Sequence, residues 1–193
     1  MRKLILIKHA SPQVQPDLPP ERWPLSDEGK AKCALLAEHL AAYAPAVVVS
    51  SDEMKAEETG QILAERLGVS HHVAADLHEH DRSNVPQLRT AEFISLMELL
   101  FRRPRDLVLG KETAVAALSR FESALDEVLM EHPAGNVAVV SHGTVIALLL
   151  EKLEPKRRGF DAWRAMKLPS FAVLSLPQLV LDRVVERIDN PAS

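Results

Sequence analysis

The chain has 193 residues, 47% hydrophobic and 26% charged, the balance of a soluble globular protein long enough for one ample core. Its formal net charge of -4 supplies no bulk basic field, which argues against nucleic acid or an acidic membrane as a partner. The one cysteine, Cys33, excludes an intrachain disulfide and fits a reducing compartment.

Met1-Arg2-Lys3 ahead of Leu4-Ile5-Leu6-Ile7 imitates the start of a signal peptide. The apolar stretch is too short for one, and Lys8 and His9 interrupt it. Residues 3–8 read instead as a buried parallel strand. Residues 10–24 form a proline-rich loop. Ser26-Asp27-Glu28-Gly29 starts a helix, with Ser26 as N-cap and acids in the first turn, running through Leu35, Leu36, His39 and Leu40 to about Tyr43. A strand over 46–50 and a helix over 54–67, closed by Gly68, come next. Residues 71–75 suggest a short third strand. The segment 76–110 is irregular apart from an apolar helix at about 91–102. A helix over about 111–132 ends at Pro133-Ala134-Gly135, ahead of a strand at 137–141 and an apolar helix at 144–153. Two last strands, 171–176 and 179–187, are separated at Pro177, which does not suit the middle of a strand. The alternation of strands and helices predicts an α/β domain with a largely parallel sheet. No run of 18 apolar residues occurs, so no transmembrane helix is expected, and the chain reads as cytoplasmic.

Two of these strands end in histidine. Leu4 to Ile7 leads to Lys8-His9-Ala10, and Val137 to Ser141 leads to His142-Gly143-Thr144. Ligands of open parallel sheets bind at the carboxyl ends of the strands. Two imidazoles at such an edge suggest a nucleophile and its partner, since imidazole is neutral and nucleophilic near pH 7.

Six segments then stand in a telling order: Lys8-His9-Ala10; Leu25-Ser26-Asp27-Glu28-Gly29; Ser50-Ser51-Asp52-Glu53-Met54-Lys55-Ala56-Glu57-Glu58-Thr59; Leu77-His78-Glu79; Glu112-Thr113 with Arg120; and Val140-Ser141-His142-Gly143. In that order they resemble motifs of the histidine phosphatase superfamily, which includes the cofactor-dependent phosphoglycerate mutases. The corresponding family patterns are Arg-His-Gly, Leu-Thr-x-x-Gly, Ser-Ser-x-x-x-Arg-Ala-x-x-Thr, Leu-x-Glu, Glu-Ser with a downstream Arg, and the second histidine motif. The likeness runs from about residue 3 to 176.

The resemblance implies one domain over 1–193, a three-layer α/β/α sandwich whose mostly parallel sheet includes one antiparallel strand, with a lid-like insertion at about 76–110. It implies a phosphatase acting on a small phosphorylated metabolite, without cofactor or metal. Phosphoryl transfer needs an in-line nucleophile, cations for the equatorial oxygens and a proton for the leaving oxygen. His9 is the expected nucleophile, forming a phosphohistidine that water hydrolyses. His142 is expected to donate a hydrogen bond to the phosphate. Lys8 and Lys55 are expected to supply positive charge and to lower the pKa of His9. Gly143 and the amides after His142, at a helix start, are expected to add anion-binding donors. Glu79 is the expected acid and then base, with Asp81 as the other candidate.

Four departures qualify this. Lys8 and Lys55 stand where the family has arginine, and a lysine is a point charge, not a bidentate fork. Losing two forks costs on the order of 10²–10⁴-fold in rate. Ala10 replaces a glycine and calls for a permissive backbone, and Gln15 stands about where the mutases have asparagine. A weakly active or inactive anion-binding protein on the same fold is therefore an alternative. A metal-dependent hydrolase using His71, His72, His78, Glu79, His80 and Asp81 is a further one. A mutase is the least supported reading, because it must shield a phosphohistidine from water. The apolar helix at 91–102, with Phe93, Ile94, Leu96, Met97, Leu99, Leu100 and Phe101, reads as core, as a lid, or as a homodimer contact. Arg102-Arg103-Pro104-Arg105 reads as a solvated helix end or as a site for a second anionic group.

Overall fold

The computed structural model describes residues 1–86 and 88–188. Gln87, inside the expected insertion, and residues 189–193, at the end of the expected domain, lie outside the described residues. Among the described residues, six strands form one sheet: β1 (Lys3–Lys8), β2 (Pro45–Ser51), β3 (Ser70–Ala74), β4 (Asn136–Ser141), β5 (Ser170–Ser175) and β6 (Val180–Val185). Their order across the sheet is β3-β2-β4-β1-β5-β6. Only β5 runs against the others, pairing antiparallel with both β1 and β6.

Alternation along the inner strands makes the three layers. Leu4, Leu6, Val137, Val139, Ala172 and Leu174 project to one face, and Ile5, Ile7, Ala138, Val140, Phe171 and Val173 to the other. The second face packs on α1 (Asp27–Ala41) and α2 (Met54–Leu67) through Leu36, Leu40, Leu63 and Ala64. The first face packs on α3 (Thr90–Arg102), α4 (Ala114–Glu131), α5 (Gly143–Leu153) and α6 (Gly159–Ala165). Strands covered on both faces read as continuous apolar runs, which is the pattern of β1 and β4.

Local chemistry sets the ends. Ser26 caps α1 by accepting from Gly29 N at 3.0 Å. Gly29 itself has no room for a side chain, because a Cβ there would lie 2.2 Å from the Ser11 carbonyl oxygen. Gly68 ends α2 at φ 68°. Thr113 caps α4, so that helix starts at Ala114 and not near 111. Helix α6 and a single turn at Pro20–Arg22 have no clear sequence signal. Phe160 and Trp163 of α6 find their partners only in three dimensions, where Trp163 meets Phe93 of α3 edge-on at 5.9 Å.

Helix α3 is a core helix in this fold: Met97, Leu100 and Phe101 are buried, and Phe93, Ile94 and Leu96 pack against the same cluster. Arg102, Arg103 and Arg105 are exposed, as a solvated helix end.

The end of β1 is tied to α2 by a buried hydroxyl. Thr59 Oγ1 accepts from Ala10 N at 3.1 Å and donates to the Lys55 carbonyl at 2.7 Å. Thr59→Val keeps the shape but leaves the Ala10 amide without an acceptor. Denaturant unfolding should show a loss of about 1–3 kcal/mol.

Candidate active site

Strand register assembles the site. β1 and β4 are parallel neighbours with Lys8 opposite Ser141, so the residues that follow them arrive at one edge together. His9 N donates to the Ser141 carbonyl at 3.0 Å, and the His9 and His142 rings stand 5.2 Å apart, centroid to centroid. Both residues are buried. β2, on the far side of β4, ends at Ser51 on the same edge and leads directly to Glu53 and Lys55.

His9 has a defined tautomer. Its Nδ1 lies 2.7 Å from the Ala10 carbonyl oxygen, which can only accept, so Nδ1 carries the proton. Nε2 is left with its lone pair. Burial lowers the His9 pKa well below the ordinary value, with His142 and Lys55 adding to the effect and Lys8 contributing less. The lysines thus act in the expected direction, but desolvation dominates. Ala10 does not take a positive φ, so the fold does not demand a glycine there.

His142 is also held neutral near pH 7. Burial lowers its pKa to about 4 against the pull of Glu53 and Glu79. Its Nε2 lies 3.0 Å from Ser51 Oγ and 3.5 Å from a Glu53 carboxylate oxygen, which favours a proton on Nε2.

The two lysines are placed differently. Lys8 Nζ donates to the Met166 carbonyl at 2.8 Å, and burial lowers its pKa to about 8. Its stem runs over Gly143, where a Cβ would come within 3.0 Å of Lys8 Cε and 3.1 Å of Nζ. Gly143 therefore gives Lys8 its passage. Lys55 Nζ is paired with the Glu53 carboxylate and donates to the Pro20 carbonyl at 2.8 Å, which ties it to the proline-rich loop. In that loop the Gln15 carbonyl accepts from Trp23 Nε1 at 2.9 Å.

Glu79 sits at the start of α5. Its carboxylate accepts from Thr144 N at 3.1 and 3.2 Å and from His80 N at 2.9 Å. Burial alone would raise its pKa, but Arg82, His142 and these amides outweigh that and hold it at about 2. Asp81 turns away from the site, accepting from Ser83 N and Oγ. Arg120 clamps the Glu79 loop by donating to the carbonyls of Asp76, His78 and Glu79, while Glu112 holds Arg120 at 2.7 Å and accepts from Asp81 N.

The other histidines of 71–81 diverge. His71 bonds Ser50 Oγ, His72 lies against the His132 ring, and His80 Nε2 donates to the Glu112 carbonyl. Among the described residues, no three His, Cys, Asp or Glu side chains converge to hold a metal ion.

Two site residues escape sequence reasoning. Arg82 Nη2 lies 3.6 Å from Glu79, its Nη1 lies 3.3 Å from Thr144 Oγ1, and its guanidinium covers the Phe93 ring at 5.3 Å. Glu53 joins Lys55 and His142 and also accepts from Glu79 N at 2.8 Å. The spacing Glu79–Arg82 and the acid two residues before Lys55 were the available signals, and both are commonplace on protein surfaces.

The chain matches the description "Histidine phosphatase superfamily (branch 1)" over residues 4–182. No curated protein matches it in sequence. Among solved structures it is similar to a mycobacterial glucosyl-3-phosphoglycerate phosphatase, at 24% identity and TM-score 0.73, over 98% of this chain and 100% of that one. A phosphoserine phosphatase of Entamoeba histolytica shares 15% identity at TM-score 0.74, over 96% of this chain and 97% of that one. An alpha-ribazole phosphatase of Shigella flexneri shares 17% identity at TM-score 0.72, over 96% of both chains. At these identities the likeness to solved structures is one of fold.

The depressed pKa values of His9, His142, Glu53 and Glu79 make the protein acid-sensitive. Below pH 6.5 the unfolded chain protonates its histidines while folded His9 and His142 do not, so stability is lost as pH falls toward about 4. Glu53 and Glu79 are stabilising above their ordinary value of 4.5, and that stability is lost as pH falls to about 2. Thermal midpoints should fall steadily from pH 6.5 downward, and His142→Asn should flatten the upper part of the curve.

Proposed function

Since the chain belongs to the histidine phosphatase superfamily, we propose that it is a phosphatase that hydrolyses a small phosphomonoester through a phosphohistidine on His9. The observation that carries this reading is the His9 tautomer: Nδ1–H is committed to the Ala10 carbonyl, so the free lone pair is on Nε2, beside His142. The similar structures named for glucosyl-3-phosphoglycerate, phosphoserine and alpha-ribazole support a small substrate.

In this mechanism Nε2 of His9 attacks phosphorus in line, and the bond from phosphorus to the leaving oxygen breaks. Lys8, Lys55 and Arg82 offset the charge of the phosphoryl oxygens, and His142 and the Gly143 amide offer them hydrogen bonds. Glu79 is a carboxylate in the free protein. A phosphate seated beside it raises its proton affinity, so Glu79 takes up a proton with the substrate and passes it to the leaving oxygen. The resulting carboxylate then draws a proton from the water that attacks the phosphohistidine, releasing inorganic phosphate and free His9. The side chains supply the positive charge, so the proposal requires no metal ion, and a chelator should leave turnover unchanged. The segment 76–110 supplies Glu79 and Arg82 to the site, which makes it the place for substrate selection.

A second reading, an anion-binding protein with weak turnover, draws on Lys8 and Lys55 standing at the two arginine positions. Restoring both arginines separates the two readings. A gain of tenfold or more in kcat/KM indicates an enzyme limited by its lysines. No gain, beside micromolar binding of an anion by the original protein, favours the binding role.

Two measurements test the phosphatase. Against a panel of phosphorylated metabolites, His9→Ala should lose at least 10³-fold in turnover and all acid-labile labelling by radioactive phosphate; undiminished turnover would refute the mechanism. Lys8 loses its charge near pH 8, so kcat/KM should decline through that pH, and Lys8→Arg should move this limb upward.

A further inference from the structure

Glu53 is a largely buried carboxylate, 11% exposed, in the pocket proposed to hold an anion. It reaches the edge at the end of β2, as the N-cap residue of α2, and caps nothing with its side chain. One oxygen pairs with Lys55 Nζ, and the other accepts from Glu79 N at 2.8 Å and lies 3.5 Å from His142 Nε2. The Lys55 and Glu53 side chains are only 9% and 11% exposed, so solvent screens the pair poorly. The cations that act on His9 and His142 include Lys8, Lys55 and Arg82, and the carboxylates that act on His142 include Glu53 and Glu79. Arg82 already has Glu79 at 3.6 Å, and Lys55 already has Glu53.

We propose that Glu53 is an internal counter-ion that takes the Lys55 ammonium for itself and so sets how tightly the pocket holds phosphate. The inference rests on the reading of this pocket as a phosphate site. A phosphate entering between the histidines meets a carboxylate in direct contact with one of these cations. Ground-state binding of the phosphoryl group is weakened, and with it retention of the inorganic phosphate that hydrolysis leaves behind. Tight binding of ground state and product alike adds nothing to turnover once substrate is abundant. Glu53 is thus a determinant of affinity and product release, distinct from the groups that move protons.

Glu53→Gln tests this while preserving what a structural role needs. The amide oxygen still accepts from Glu79 N and the length is unchanged, but the charge is gone. Calorimetric titration with inorganic phosphate should show the variant binding at least tenfold more tightly than the original protein. The gain should vanish in Glu53→Gln/Lys55→Gln, because it depends on the freed ammonium. An unchanged or weaker affinity in a Glu53→Gln protein with the original unfolding midpoint would overturn the proposal, as would a gain that persists without Lys55. If Glu53→Gln does not fold, Glu53→Asp carries the test: it draws the carboxylate back from Lys55 and should tighten binding about threefold, and no gain there overturns the idea. Binding is read without turnover, so a failure of the phosphatase reading would appear separately, as tighter binding with no hydrolysis in either protein.

Discussion

The parallel pairing of β1 with β4 is the constraint on which the site depends. Lys8 lies opposite Ser141, and the first residue beyond β1 still bonds back to β4 through His9 N and the Ser141 carbonyl. A slip of one residue would turn His9 or His142 to the opposite face of the sheet. The buried alternation of both strands resists such a slip, because it would carry each apolar set away from its helix layer. The geometry of the proposed site is thus underwritten by the hydrophobic core, and the two imidazoles inherit their separation from strand spacing.

Burial has a second consequence at this edge. It keeps both imidazoles uncharged, which a nucleophile requires, and it makes every charge nearby count for more than it would in water. The pocket answers with pairing: Glu53 with Lys55, and Glu79 with Arg82 and the amides of α5. Lys8 has a backbone carbonyl for its partner, and desolvation lowers its pKa to about 8. An arginine would stay charged in that place, so the lysine makes this pocket sensitive to alkaline pH in a way a guanidinium would not.

The proposed acid, Glu79, is positioned by a second tier of contacts. Glu79 stands on an irregular loop, and a loop by itself does not fix a carboxylate. Arg120 gathers three carbonyls of that loop, Glu112 orients Arg120, and Glu53 receives the Glu79 amide. The Glu112 and Arg120 motif therefore acts on the site from behind, as a clamp on the segment that carries Glu79.

Much of this was legible in the chain because it was written in local patterns. Apolar runs bounded by turns disclosed β1, β2 and β4; caps at Ser26 and Gly68 marked helix ends; and ordered motifs pointed to His9, His142, Lys8, Lys55 and Glu79. Helix α6 escaped because it is short and draws its stability from Phe93 and Phe101, which are distant in sequence. Arg82 and Glu53 escaped for a related reason: a charged residue near another charged residue is ordinary in sequence, and its meaning depends on what faces it. By itself the sequence determined the fold class and the place of two histidines at strand ends, since hydrophobic periodicity and strand-end motifs are properties of neighbouring residues. Only the tertiary structure decided which acid stands at α5, which tautomer His9 adopts and which cation is already paired, because hydrogen bonds and ion pairs between separate elements exist only once the sheet has brought them together.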